Sequence, residues 1–273
     1  RRPPRSTPFP YTTLFRSGSI TIESAQNYAI DNNRIFINKA NINISDSEER
    51  GINNDFSNAV ITNQAAIYIT NSGEEAIHSQ AVFNNELDGE IFIDGAVEEG
   101  IENSAVGGRS GEFNNSGLVT IDGISAGPGI RNESTTVFTN EGSLIIGANS
   151  DAGTFGINND GGDFTNEDCG FIHLEADDPI RNNGVFTNDG HIIESATGNS
   201  SITTNNGLIQ NRNEGTFTVG TNNGIVVGSA DYNNLLCAGT DLITIGASNT
   251  LNVATTWYNN ALQTNVAGQY DQS

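Results

Sequence analysis

Apolar residues alternate with polar ones in runs of only three to five residues, and the runs return along most of the chain. Alternation is the period of a strand rather than of a helix. Three kinds of run follow one another in fixed order. The first is a small residue, an isoleucine, a variable polar residue and usually asparagine, with its isoleucines at Ile30, Ile52, Ile77, Ile101, Ile130, Ile157, Ile180, Ile202 and Ile225. The second is Phe-x-Asn or a relative, beginning at Phe36, Ile61, Phe83, Phe113, Phe138, Phe164, Phe186 and Ile209. The third is a pair of aliphatic positions two apart: Ile42/Ile44, Ile67/Ile69, Ile91/Ile93, Val119/Ile121, Leu144/Ile146, Ile172/Leu174 and Phe217/Val219.

The cycle returns every 22 to 29 residues or so, about nine times, as in repeat proteins. Strands this short cannot bury a face alone. Stacked at about 4.8 Å, successive copies pair every backbone group and enclose a continuous Ile/Phe/Val interior. The pattern therefore predicts an all-β fold, a right-handed parallel β-helix (β-solenoid) with about three strands per coil and about nine coils. Asn-x-Gly between the second and third runs, as in Asn115-Ser116-Gly117, Asn140-Glu141-Gly142 and Asn188-Asp189-Gly190, predicts corners at which Gly or Asn adopts a positive φ. The 39 asparagines, many in matching positions, suit both stacked amides and simple turns. Residues 106–112, 147–155 and 196–200 fall between runs and read as loops bulging from corners.

Composition divides the chain. Residues 1–17 hold four arginines and four prolines but no acid, glycine before Gly18 or asparagine, and TPFPYTTLFRS from Thr7 to Ser17 closely resembles a translated sequencing adapter. Residues 1–17 are therefore read as non-native and left out of fold reasoning. Residues 18–245 form the repeat domain, and 246–273, with Trp257, read as a cap or the start of a further β domain. The chain contains no methionine, so it reads as part of a longer protein whose neighbouring domains are partners. Overall charge is −22, and beyond residue 17 the 33 acids face only 11 − 4 = 7 bases, which are scattered. Nucleic acid and anionic membranes are thereby excluded as expected partners. No run approaches the roughly 18 apolar residues of a membrane span, so no direct membrane insertion is expected.

Candidate chemistry is sparse. Parallel β-helices also host carbohydrate-cleaving enzymes, whose acid-base chemistry needs two carboxylates about 5 to 9.5 Å apart. Asp177, Asp178 and Asp189, with His191, form the one arrangement that superficially resembles a polygalacturonase, but Gly-His-Gly and Arg-x-Lys elements are missing. For metal, Asp160, Asp163 and Asp168 offer oxygen ligands for calcium, yet no EF-hand or Gly-Gly-x-Gly-x-Asp pattern accompanies them. No other cofactor is expected. His78, His173 and His191 share no spacing and are read as outward strand residues. Cys169 and Cys237 each follow a second-run aromatic residue by five positions, which puts them in one column about three coils apart and predicts free thiols. Thr139, Thr165 and Thr187 form one short outward column, too little for an ice-binding array.

The most regular copies, GIRN…FTNEGSLII, GINN…FTNEDCGFIHL and PIRN…FTNDGHII, resemble the Asn/Gly-rich β-helix repeats of bacterial secreted and cell-surface proteins of the adhesin or autotransporter-passenger type. The resemblance spans roughly residues 18–245. It implies a non-enzymatic structural or adhesive module outside the cell, contacting glycans or other cell-surface molecules through corner loops. The alternative is a polysaccharide lyase or glycoside hydrolase using Asp177, Asp178 and Asp189.

Overall fold

The structure is a computed structural model. It describes residues 18–147, 155–168, 170–176 and 178–194, together with the strand segments 202–205, 208–211, 216–222, 225–228 and 242–244. Segments 1–17 and 246–273, Cys169, Cys237 and Asp177 lie outside the described residues. From Ile30 to Glu194 the chain is an all-β parallel solenoid of about six turns, with three sheets of seven strands each. The first face comprises Ile30–Asp31, Ile52–Asn54, Ile77–Ser79, Ile101–Asn103, Ile130–Glu133, Phe155–Asp160 and Asp178–Asn182. The second comprises Ile35–Asn38, Val60–Asn63, Val82–Asn85, Glu112–Asn115, Val137–Asn140, Asp163–Asn166 and Val185–Asn188. The third comprises Ile42–Ser47, Ala66–Ser72, Glu90–Ala96, Leu118–Ile124, Ser143–Ile146, Phe171–Leu174 and His191–Glu194, with Ile20–Glu23 paired ahead of it.

The three runs thus become the three faces, in the predicted register. Phe36, Ile61, Phe83, Phe113, Phe138, Phe164, Phe186 and Ile209 pair in one column. Five of these rings stack, with centroids 4.7 to 4.9 Å apart and planes within 10°. The aliphatic pairs of the third face stack in the same way, and both sets are buried. Coil spacing and ring spacing coincide, so each ring covers the face of the next and water is excluded along the axis.

Asparagine closes the strands. Asn38, Asn63, Asn85, Asn115, Asn140, Asn166 and Asn188 end the second-face strands, and each amide up to Asn166 donates to the next amide oxygen at 2.7 to 2.8 Å. A second ladder links Asn32 to Asn54 and runs again from Asn103 through Asn132 and Asn159 to Asn182. The stacked-amide reading therefore holds for these asparagines, whereas none of them takes the left-handed turn conformation that the alternative reading required. A buried amide can be tolerated only when its donors and acceptor are matched, and a ladder matches them coil by coil.

The first-face ladder has one gap. Ser79 takes the place of an asparagine and accepts from Asn54 at 3.0 Å, but its hydroxyl donates to the Ala81 carbonyl. Asn103 Oδ1 is left buried with no partner. Ser79→Asn supplies the missing donor, and the expected result is a gain of about 1 kcal/mol in denaturant unfolding. A loss would show that the coil spacing at Ser79 leaves no room for the amide.

The corners differ from expectation. None of Gly117, Gly142 and Gly190 has a positive φ; these glycines are required by close approach instead. A methyl group on Gly142 would collide with the Gly117 carbonyl, and one on Gly117 with that of Gly89. Positive φ recurs at a kink late in the third-face strands, at Ser24, Asp46 and Asn71 (each 55°), Gly95 (93°) and Gly123 (68°), and occurs also at Thr135 and Gly161 before the second face and at Gly107 and Gly108 in the insertion. From Asp46 through Asn71 and Gly95 to Gly123, residues on either side of this kink stay paired from coil to coil, so the left-handed residue itself stacks. Small polar residues and glycine tolerate that conformation best.

Register drifts after residue 194. Asn182 pairs with Asn205 and Arg181 with Thr204, so the asparagines stay aligned while Ile202 leaves the isoleucine column. Ile225 was expected in a first-face strand, but it pairs with Leu208 and so extends the second face. Phe217 pairs with Ile243 on the third face, whereas Val219 pairs with Ile202 on the first. The expected third-run pair Phe217/Val219 is therefore split between faces. The next corner is too short to hold the earlier geometry, and the strand Thr216–Asn222 turns it without a break.

Candidate functional site

One side of the solenoid carries a cluster that the sequence reading overlooked. In the first run the variable residue points away from the isoleucine core. Pairing stacks these residues into a column: Asp31, Asn53, His78, Glu102, Arg131, Asn158 and Arg181. Beside it, at the corner just before each small residue, stand Arg50, Glu75 and Glu99. Backbone bonds from Gly51 to Glu75 and from Ala76 to Glu99 keep these three on successive coils.

The contacts are close and mostly sealed from solvent. His78 Nδ1 lies 2.6 Å from Glu102 Oε2 and 3.7 Å from Glu75 Oε1. Arg50 Nε donates to Glu75 Oε2 at 2.7 Å. Arg131 Nη1 lies 3.5 Å from both Glu99 and Glu102, and its Nη2 lies 3.2 Å from Glu133 and 3.9 Å from Asp160. Side-chain exposure is only 5% for His78 and Glu75 and 10% for Glu102. His78 is therefore not the solvent-facing strand residue expected. Its other nitrogen is engaged by Gln80 at 3.0 Å and by the Ser104 hydroxyl at 3.4 Å.

The insertion after Ser104 packs along this side. Ala105 N–H donates to Glu133 at 3.2 Å, and Arg109 reaches back two coils to the Asp55 carbonyl and over the Phe56 ring. The loop foreseen at 106–112 thus serves as a strap across coils.

Electrostatics follow from burial and pairing. Burial works against the charged form of His78, but bonds to Glu102 and Glu75 outweigh it and raise the imidazole to about 9. Burial pushes Glu75 up, yet bonds from His78 and Arg50 win and hold its carboxyl well below the usual carboxylate range. Glu102 is shifted upward by burial despite its bond to His78. Burial, then the Glu102 charge, raises Glu99 to about 7.

These shifts predict a pH profile for the metal-free protein. His78 is raised above its unfolded value of about 6.5, so its contribution is complete below that pH and is lost as pH rises through about 9. Glu99 is an acid whose folded value is raised, so ionising it costs stability progressively between about 4.5 and about 7. Both terms have the same sign. The midpoint temperature, followed by circular dichroism in chelator-treated buffer, is expected to fall from pH 5 to pH 9, with His78 contributing on the order of 3 kcal/mol. A flat profile, or one unchanged in His78→Gln, would contradict the pairing described.

The residues singled out from sequence are distributed differently. Asp178 opens the strand Asp178–Asn182 on the first face, while Asp189 is buried beyond the second face and His191 begins a third-face strand. Asp160 is exposed and pairs with Arg131 and Asn183. Asp163 starts a second-face strand and Asp168 follows the other end of it; both are exposed. Among the described residues, ligand atoms of His, Asp and Glu draw together instead at Glu75, His78 and Glu102, and at Glu75, Glu98 and Glu99. The sequence held a usable sign of this: Arg50, Glu75 and Glu99 share one offset from the first run, and His78, Glu102 and Arg131 share another. No helix among the described residues is long and apolar enough to cross a membrane.

No protein-family model, no curated protein and no solved structure matches this chain.

Proposed function

We propose that this chain is a structural or adhesive rod, a non-enzymatic module of a bacterial secreted or cell-surface protein that displays its corners to glycans or other surface molecules. The observation that carries the reading is the uninterrupted register of the phenylalanine and aliphatic columns through seven strands of each face. Such an interior makes a stiff spacer whose length grows by one coil at a time. The rod winds in the right-handed sense and continues through about nine coils, with the register-shifted strands after residue 194 as its last two. The high negative charge keeps neighbouring rods apart and in solution.

An enzymatic reading on Asp177, Asp178 and Asp189 gains no support from the backbone placement of Asp178 and Asp189, which belong to different sides of the coil. The buried cluster around His78 is closed to a polymeric substrate, since its carboxylates are turned onto arginines and an imidazole. A glycan array combined with product analysis tests the proposal. Binding without cleavage supports the adhesive reading; release of shortened or unsaturated oligosaccharides would overturn it.

A further inference from the structure

The cluster on the first face has a geometry that a chain of ion pairs does not require. Arg50 grips Glu75 with two nitrogens, Nε donating to Oε2 at 2.7 Å and Nη2 to Oε1 at 3.4 Å, and Oε1 also faces His78 Nδ1 at 3.7 Å. Glu102 turns Oε1 toward Arg131 and leaves Oε2 on the same Nδ1 at 2.6 Å. Each arginine thus orients a carboxylate, and Glu75 Oε1 and Glu102 Oε2 converge on one imidazole nitrogen. The ring itself is fixed through Nε2 by Gln80 and Ser104. An imidazole held by its far nitrogen, beside carboxylates that are themselves hydrogen-bonded, is the arrangement found around bound transition metals.

We propose that Glu75, His78 and Glu102 form a binding site for one transition-metal dication of the Zn²⁺ class. The three ligand atoms already lie within 4.8 Å of one another and all three residues are buried. Around Zn²⁺, bonds of about 2.0 to 2.2 Å place neighbouring ligand atoms roughly 3 to 3.5 Å apart. To reach that spacing the His78 to Glu102 contact opens from 2.6 Å and the His78 to Glu75 separation closes slightly from 3.7 Å. The ion replaces the proton shared by imidazole and carboxylate. Glu99, the partner of Arg131 on the same coil as Glu102, is a further carboxylate close to Glu75, and water completes the shell. Nitrogen in the ligand set favours Zn²⁺ over the hard cation Ca²⁺. The ligands come from two successive coils, so the ion acts as a staple between them, a role independent of whether the rod is adhesive.

Calorimetric titration of Zn²⁺ into tag-free, chelator-stripped protein tests this. The expected result is one ion per chain and a raised thermal midpoint, with no comparable rise from Ca²⁺ at equal concentration. Glu102→Gln is expected to weaken binding at least tenfold, while Asp122→Asn, a change in an exposed acid on the third face, leaves it unchanged. Should Glu102→Gln fail to fold, ¹⁵N spectra of the wild-type imidazoles give the answer: zinc must move the Nδ1 resonance that is missing in His78→Gln. No saturable binding, equal weakening in both carboxylate variants, or an unmoved Nδ1 resonance would each overturn the site.

Discussion

Replacing Phe138 by alanine is expected to lower stability by about 3 to 5 kcal/mol. Its ring is fully buried and is covered on both sides, by Phe113 at 4.9 Å and by Phe164 at 4.7 Å. Removing it leaves a gap one coil thick, which neighbours held by sheet hydrogen bonds above and below cannot close. Stability in a stacked repeat is the sum of each coil and its two interfaces, so one missing ring weakens two interfaces at once. Phe138→Leu should lose less than half as much, since most of the volume remains. Val137→Ala, one residue earlier on the exposed side of the same strand, should change stability by under about 0.5 kcal/mol. Urea denaturation of the three variants is the measurement. Similar losses for Phe138→Ala and Val137→Ala would mean that the strand is turned the other way and that the phenylalanine column is not the core.

The second large effect concerns charge. Arg50→Met is expected to destabilise the chelator-treated protein by about 3 kcal/mol, because the Glu75 carboxylate then stays buried without its closest cation. Arg50 Nε is 2.7 Å from Glu75 Oε2, the Glu75 side chain is 5% exposed, and the guanidinium also lies over the Tyr28 ring at 5.6 Å. Adding Glu75→Gln to Arg50→Met should restore much of the loss, since a neutral amide costs less to bury than a lone carboxylate. Arg34→Met removes the same charge from an exposed position and should have little effect, which separates the local pairing from the general repulsion of an acidic chain. If the double variant is as unstable as the two single losses added together, Glu75 and Arg50 are not coupled.

How far the sequence could be read is clear from particular residues. Phe113, Phe138 and Phe164 could be aligned because each sits in an alternating run with asparagine two positions on, and a strand sends such residues to one face. In a parallel stack, equal positions in successive copies must meet, so the alignment was also the register. Nothing comparable announces His78. It occupies a position filled by Asn, Glu or Arg in neighbouring copies, and its surroundings are set by Glu75, Gln80, Glu102 and Ser104, two of them on the next coil. The corners were misjudged for a related reason: Asn-x-Gly looks like a positive-φ turn, but whether a glycine is needed for its φ or for its missing Cβ depends on what the adjacent coil places against it. The departure of Ile202 from its column was visible in the run, since Asn205 follows it by three residues where Asn182 follows Ile180 by two, but the pairing of Ile225 with the second face was not.

The sequence by itself determined the strands, the three faces and the residues that fill the interior, because alternation and repetition are local and additive along the chain. Only the tertiary structure decided which outward residues become buried, which corner carries the left-handed kink, and that Arg50, Glu75, His78, Glu99, Glu102 and Arg131 gather at one place. Those outcomes depend on side chains about 25 residues apart meeting across coils. Their spacing is fixed by stacking and by the strap that crosses it, not by any one run.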